Sequence, residues 1–159
     1  MTSLTFEISF IMALLLANGL FAMVEIAVVA ARKTRLKTMI DEGHRGAKLA
    51  LSLANSPGKF LSTVQVGITL VGILAGAIGG ANIAKKIAPF FAEIPLLSPY
   101  ADPLSLLIVV VLITYFSVII GELVPKRIAL NNPERIASAL ARPMKRLASL
   151  FSPLVNLLN

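Results

Sequence analysis

Glu122 is the residue whose place in this chain most needs a chemical reason. It lies in Phe116-Ser117-Val118-Ile119-Ile120-Gly121-Glu122-Leu123-Val124-Pro125-Lys126-Arg127, near the end of an apolar run that begins at Leu104. Crossing ~30 Å of hydrocarbon takes roughly 20 apolar residues, and this run is long enough. A carboxylate inside such a run is costly, and by default it marks a functional position. Pro125 has no N–H to give the carbonyl of Gly121, four residues before it. A free carbonyl beside a carboxylate suits a hard cation such as Mg²⁺, Ca²⁺ or Na⁺. A plainer reading stands next to this one: a helix end near the headgroups, with Glu122 paired to Lys126 one turn later.

The composition says what must position such a site. The chain has 159 residues, 57% hydrophobic and 14% charged, more apolar surface than so small a soluble domain could bury. The expectation is a single all-α integral membrane domain over 1–159, with three transmembrane helices, a cytoplasmic helical hairpin and a C-terminal amphipathic juxtamembrane helix. No cysteine is present, which excludes disulfides and thiolate metal sites. The net charge of +7 would suggest nucleic acid in a soluble protein, but its distribution here argues for membrane topology, and no nucleic-acid partner is expected.

The spans are expected at about 4–31, 60–83 and 104–124. Arg32 to Lys37 closes the first on a basic cluster, and 32–56 reads as two short amphipathic helices broken at Gly43-His44-Arg45-Gly46. His44 in that break is expected to be solvated. The second span is rich in glycine. Gly72, Gly76 and Gly80 recur every four residues and leave one face nearly bare, the small-xxx-small pattern of close helix approach. Residues 84–103 hold Pro89, Pro95, Pro99 and Pro103, which predicts an outer loop rather than a straight helix. Asn132-Pro133 predicts the start of the juxtamembrane helix 133–158, with Asn132 as cap and a break near Pro153.

Charge sets the orientation. Segment 32–59 carries seven Lys/Arg and 126–146 carries six, against only Lys85 and Lys86 in 84–103. The positive-inside rule then puts the N-terminus outside a cell (inner or plasma) membrane and the C-terminus in the cytoplasm. Counted from those basic flanks, Glu25, Gln65 and Glu122 each fall ~6–10 Å inside the cytoplasmic boundary. Asn18, Thr69 and Ser117 fall deeper. The candidate ion ligands are therefore Glu122 with the Gly121 carbonyl, Glu25, Gln65 and Thr69, with Gly67 between the last two. Pro125, Gly72, Gly76 and Gly80 are structural candidates.

Three stretches resemble the transmembrane domain of the CorC/cyclin M family: Phe21 to Val29, Leu61 to Leu70, and Gly121-Glu122-Leu123-Val124-Pro125-Lys126, the most specific of them. The resemblance covers essentially the whole chain. It implies a homodimer in the lipid bilayer with three spans per subunit, a belt helix at the membrane surface, and export of Mg²⁺ coupled to Na⁺. It also implies cytoplasmic CBS-pair modules following a domain of this kind. The family's carboxylate ligand matches Glu122. Its first-span serine and second-span asparagine fall near Ala22 or Val24 and near Ile68 or Gly72, so Glu25, Gln65 and Thr69 stand as replacements. An alternative function is a membrane anchor or sensor that acts through cytoplasmic domains without transport. An intramembrane enzyme is not expected, because the spans hold no histidine and no aspartate pair, and Ser62 and Ser117 lack an evident base.

Overall fold

A computed structural model describes residues 4–158, with side chains described through Arg146. Its elements are helices: α1 (Leu4–Ala30), α2 (Lys33–Asp41), α3 (Ala47–Asn55), α4 (Gly58–Ala92), a 3₁₀ turn (Ser98–Tyr100), α5 (Ala101–Val118), a π-helical turn (Ile119–Leu123), α6 (Val124–Asn131) and α7 (Pro133–Leu158). Three stretches among the described residues are long and apolar enough to cross a membrane: Leu4–Ala30, Gly58–Ala92 and Ser98–Asn131.

The second span is longer than its proline content predicts, because residues 84–92 continue α4 instead of forming an outer loop. Two contacts offset the break at Pro89. Ala84 and Ala88 are buried, one turn and two turns after the buried Gly80. Lys86 Nζ also lies 2.7 Å from Glu7 Oε2 of α1, a carboxylate with only 5% of its side chain exposed. The connection between the second and third spans shrinks to a few residues around Pro95 and the 3₁₀ turn. The third span starts earlier than expected, at Ala101, with Pro103 tolerated in its first turn. It also runs on past Pro125, as α6, to Asn131.

At the other end, Gly43 takes φ +82°. His44 N–H donates to the Met39 carbonyl and Gly43 N–H to that of Ile40, closing α2 in a Schellman motif. The next turn brings Gly46 against the backbone of Ser138 in α7, a contact with no room for a Cβ. Leu36, Ala50, Phe60, Val64, Ala137, Ala141 and Met144 form one buried cluster that joins α2, α3 and α7 to the start of α4. Glu134 Oε1 accepts the Arg32 N–H at 3.1 Å and ties the first turn of α7 to the end of α1. The helix α7 begins at Pro133 as expected, but it continues through Pro153 without the expected break. The apolar side chains expected on its far half, Leu147 to Leu158, lie outside the described residues.

Candidate functional site

The residues around Glu122 adopt a geometry that follows from Pro125. A proline supplies no N–H, so a helix running into it cannot complete its last hydrogen bonds. The chain adjusts by widening one turn. Val124 N–H donates to the Ile119 carbonyl, five residues back, and Ile119–Leu123 becomes π-helical. The Ile120 carbonyl then has no helical donor, since Val124 N–H is engaged at Ile119 and the next residue is Pro125. The Gly121 carbonyl has lost its α-helical donor in the same way. Single π turns inside α-helices recur at functional sites because they release such groups.

Both carbonyls stand against one turn of α1. Asn18 Nδ2 donates to the Gly121 carbonyl at 3.3 Å. A Cβ on Gly19 would lie 2.9 Å from the Ile120 carbonyl oxygen and 2.9 Å from Pro125 Cγ, so the turn can approach only because residue 19 is glycine. A Cβ on Gly121 would likewise meet Asn18 Nδ2 at 3.0 Å and the Leu15 carbonyl at 3.5 Å. Asn18 is 93% buried (7% exposed), yet its Oδ1 has no hydrogen-bond partner. The junction is therefore rich in oxygen acceptors and poor in donors. Chemically it asks for a water or a cation.

The carboxylate lies beside this junction but outside its buried part. Glu122 is half-exposed, and its Oε1 lies 2.5 Å from Lys126 Nζ. In this conformation the i,i+4 pair of the plainer reading is formed. Gln65 and Thr69 are exposed on α4, where the Thr69 hydroxyl donates to the Gln65 carbonyl at 2.9 Å. Gly67 is buried beneath the Phe21 ring, 3.1 Å from where its Cβ would be. Glu25 is half-buried.

The single polar layer expected from the sequence is divided into two. Ile11 packs on Gly79 and Phe21 on Gly67, so α1 and α4 run antiparallel and Glu25 falls level with the turn of Gln65. Asn18 and Gly19 touch Ile120, Gly121 and Pro125, which sets Glu122 level with the turn of Gly19. Glu25 lies about one and a half turns further along α1, ~8 Å away. The expectation failed because it took Lys126 as a boundary equivalent to Arg32. The third span stays helical for another turn beyond Lys126, so the two basic residues mark different depths. No group of three or more His, Asp or Glu suited to a metal occurs among the described residues.

Gly72 and Gly76 are exposed and Gly80 is buried, yet no atom lies within 4 Å of a Cβ built at any of the three, so packing within the chain does not require glycine there. The glycines that admit close helix approach are Gly19, Gly67, Gly79 and Gly121. Asn18 is the site residue that ligand counting passed over. Its signal in the sequence was an amide buried in an apolar span opposite a carbonyl released by proline.

A family model described as the cyclin M transmembrane N-terminal domain matches residues 9–159. A UPF0053 protein of Synechocystis sp. is 54% identical over 157 residues, 99% of this chain and 35% of that protein. A polyamine export protein of Salmonella typhimurium is 33% identical over 153 residues, 96% of this chain and 34% of that protein. A UPF0053 protein of Bacillus subtilis is 30% identical over 146 residues, 92% of this chain and 32% of that protein. The chain spans about a third of the length of these curated relatives.

Proposed function

The chain belongs to the cyclin M transmembrane domain family, and from that premise we propose that it is the membrane domain of a cation exporter whose substrate binds at the π turn. The observation that carries this reading is the junction of Asn18 with Ile120 and Gly121. A buried amide oxygen without a donor, two carbonyls released from the helix and a carboxylate one residue away make an oxygen-only site inside a span. Mg²⁺ is the cargo proposed first, with Na⁺ as coupling ion. Both are hard cations, and this ligand set is hard. Glu122 would exchange Lys126 for the ion as substrate arrives, which makes the pair seen here a resting arrangement.

A second cargo is favoured by a specific contact. Lys126 presents an alkylammonium to Glu122 at 2.5 Å, and a polyamine ends in the same group. Some relatives carry the name polyamine export protein, which supports testing that cargo. The proposal extends to a homodimer in a plasma membrane, N-terminus outside and C-terminus cytoplasmic, followed by CBS-pair modules in a longer chain. A groove of about 170 Å³ between α4 and α5, lined by Gly72, Gly76, Val110, Thr114 and Ser117, supports a second copy docking on the bare glycine face. The alternative of an anchor or sensor predicts no flux.

The test is flux in liposomes that contain this chain as the only protein, loaded in turn with Mg²⁺ and with spermidine, with and without a Na⁺ gradient. Mg²⁺ release that needs the gradient supports the first cargo. Spermidine release alone supports the second. No release of either contradicts export by this domain and leaves the anchor.

A further inference from the structure

The α4–α5 seam carries two opposite charges at the end away from α2, α3 and α7. There a pocket of about 260 Å³ is lined by Ala81, Ala84, Lys85, Asp102 and Leu106. Lys85 and Asp102 are both exposed, and among the described residues they form no ion pair with each other. Lys85 comes 26 residues after Lys59, ~39 Å along one helix, so the two lysines stand in opposite interfacial layers.

This pocket and the glycine groove are sections of one furrow. Along α5, Ala101, Ser105 and Val109 form a buried row, four residues apart. Asp102, Leu106 and Val110 each follow that row by one residue, so they flank the same side of it throughout. On α4, Gly76 follows the buried Ala75, and Lys85 follows the buried Ala84, in the same way. Asp102 and Leu106 line the charged pocket, and Val110 and Thr114 continue the wall beside Gly72 and Gly76. One wall of the furrow therefore carries a cation and the other a carboxylate, both facing one pocket and so at one height.

Taking the docking face proposed above as given, we propose that a second copy of this chain fills the furrow, with Lys85 paired to the partner subunit's Asp102 on each side of the axis. Two copies inserted the same way round are related by a twofold axis along the membrane normal, which leaves heights unchanged. Across such an axis, α4 of one copy faces α5 of the other. A cation on α4 and a carboxylate on α5 at equal height then each meet their complement, and the patch is its own counterpart. The glycine stripe alone does not fix the register, because each of its turns resembles the next. A slip of one turn, ~5.4 Å, would part both ion pairs, so the charges select one depth of docking.

The test uses the absence of cysteine from the chain. Lys85→Cys and Asp102→Cys chains are mixed in detergent, reconstituted into liposomes and treated with a short bis-maleimide. A covalent dimer is expected from the mixture, and much less from either variant alone, because unlike positions meet. In analytical ultracentrifugation, Lys85→Glu and Asp102→Lys should each weaken the dimer roughly 10-fold, as two exposed pairs turn to repulsion. The double reversal Lys85→Glu/Asp102→Lys must restore it, which it would not do for a general packing defect. Linking of Lys85→Cys alone as strong as in the mixture would bring like positions together and overturn the proposal. A wild-type dimer that neither reversal weakens and no mixture links would overturn the pairing and leave the docking face standing. A wild type that is monomeric in both liposomes and detergent would overturn both. Reversals that change retention of phosphatidylglycerol but not association would give the pocket to a lipid headgroup instead.

Discussion

The N-terminal end and the middle of α1 each meet a neighbouring span through polar groups, and they treat those groups in opposite ways. Near the N-terminal end, Glu7 is buried and paired with Lys86 across to α4, and the buried Ser105 hydroxyl donates to the Ala101 carbonyl of its own helix at 2.6 Å. Eleven residues further along α1, Asn18 makes one hydrogen bond and leaves its oxygen without a donor, against carbonyls released by Pro125. Polar residues in apolar spans therefore do not carry one meaning. Where donors and acceptors balance, the group fastens two helices. Where acceptors are in excess, the missing positive partner becomes the chemistry of the site.

Substitutions at the two places should separate these roles. The largest stability loss is expected from Gly19→Val. Its Cβ would press on the Ile120 carbonyl and Pro125, and overpacking of that kind costs about 2–3 kcal/mol. Thermal unfolding in detergent should show it, together with loss of any ion-dependent stabilisation. Glu7→Ala comes next. It removes the ion pair with Lys86, which is 35% exposed and partly screened, so about 2 kcal/mol is expected in place of the larger cost of a fully buried pair. Ion-dependent stabilisation should survive in this variant, because the Glu7–Lys86 fastening is not the site. An equal loss of ion response in both variants would break the distinction between the two places.

Asn18→Leu sharpens the comparison further. It removes one donor to Gly121 and the unsatisfied oxygen together, and these changes oppose each other, so stability should move by less than about 1 kcal/mol. Transport in liposomes should nevertheless fall to background. Gly72→Ala should have the smallest effect on the isolated protomer, below about 0.5 kcal/mol, because open space surrounds that position. A marked shift in the monomer–dimer balance, read by analytical ultracentrifugation in detergent, would then locate the dimer contact on that face.

Much of this fold was legible from hydropathy and charge. The long apolar runs marked the spans, and Gly43-His44-Arg45-Gly46 marked the turn between α2 and α3. The ends of the spans were less legible. Proline statistics would stop α4 at residue 83, but Glu7 and the buried alanines act through tertiary contacts that no local pattern encodes. The site was half legible. Pro125 announced a free carbonyl at Gly121, and the structure adds Ile120, because the shift to an i→i+5 bond leaves a second acceptor behind. The shared depth of Glu25 and Glu122 failed on a boundary marker. Lys126 lies one turn inside the end of its helix, so counting from it placed the carboxylate too near the surface.

The most direct test of the central claim is thermal stability across Mg²⁺, Na⁺ and spermidine for wild type, Asn18→Leu and Glu122→Gln. A ligand that binds only the folded protein raises stability by RT ln(1 + [L]/Kd), about 2.7 kcal/mol at a hundredfold excess over Kd. A cation-dependent rise is expected in wild type and lost in both variants, although neither variant alone is strongly destabilised. A rise that persists in Asn18→Leu and Glu122→Gln would contradict it and move cation binding away from the π turn.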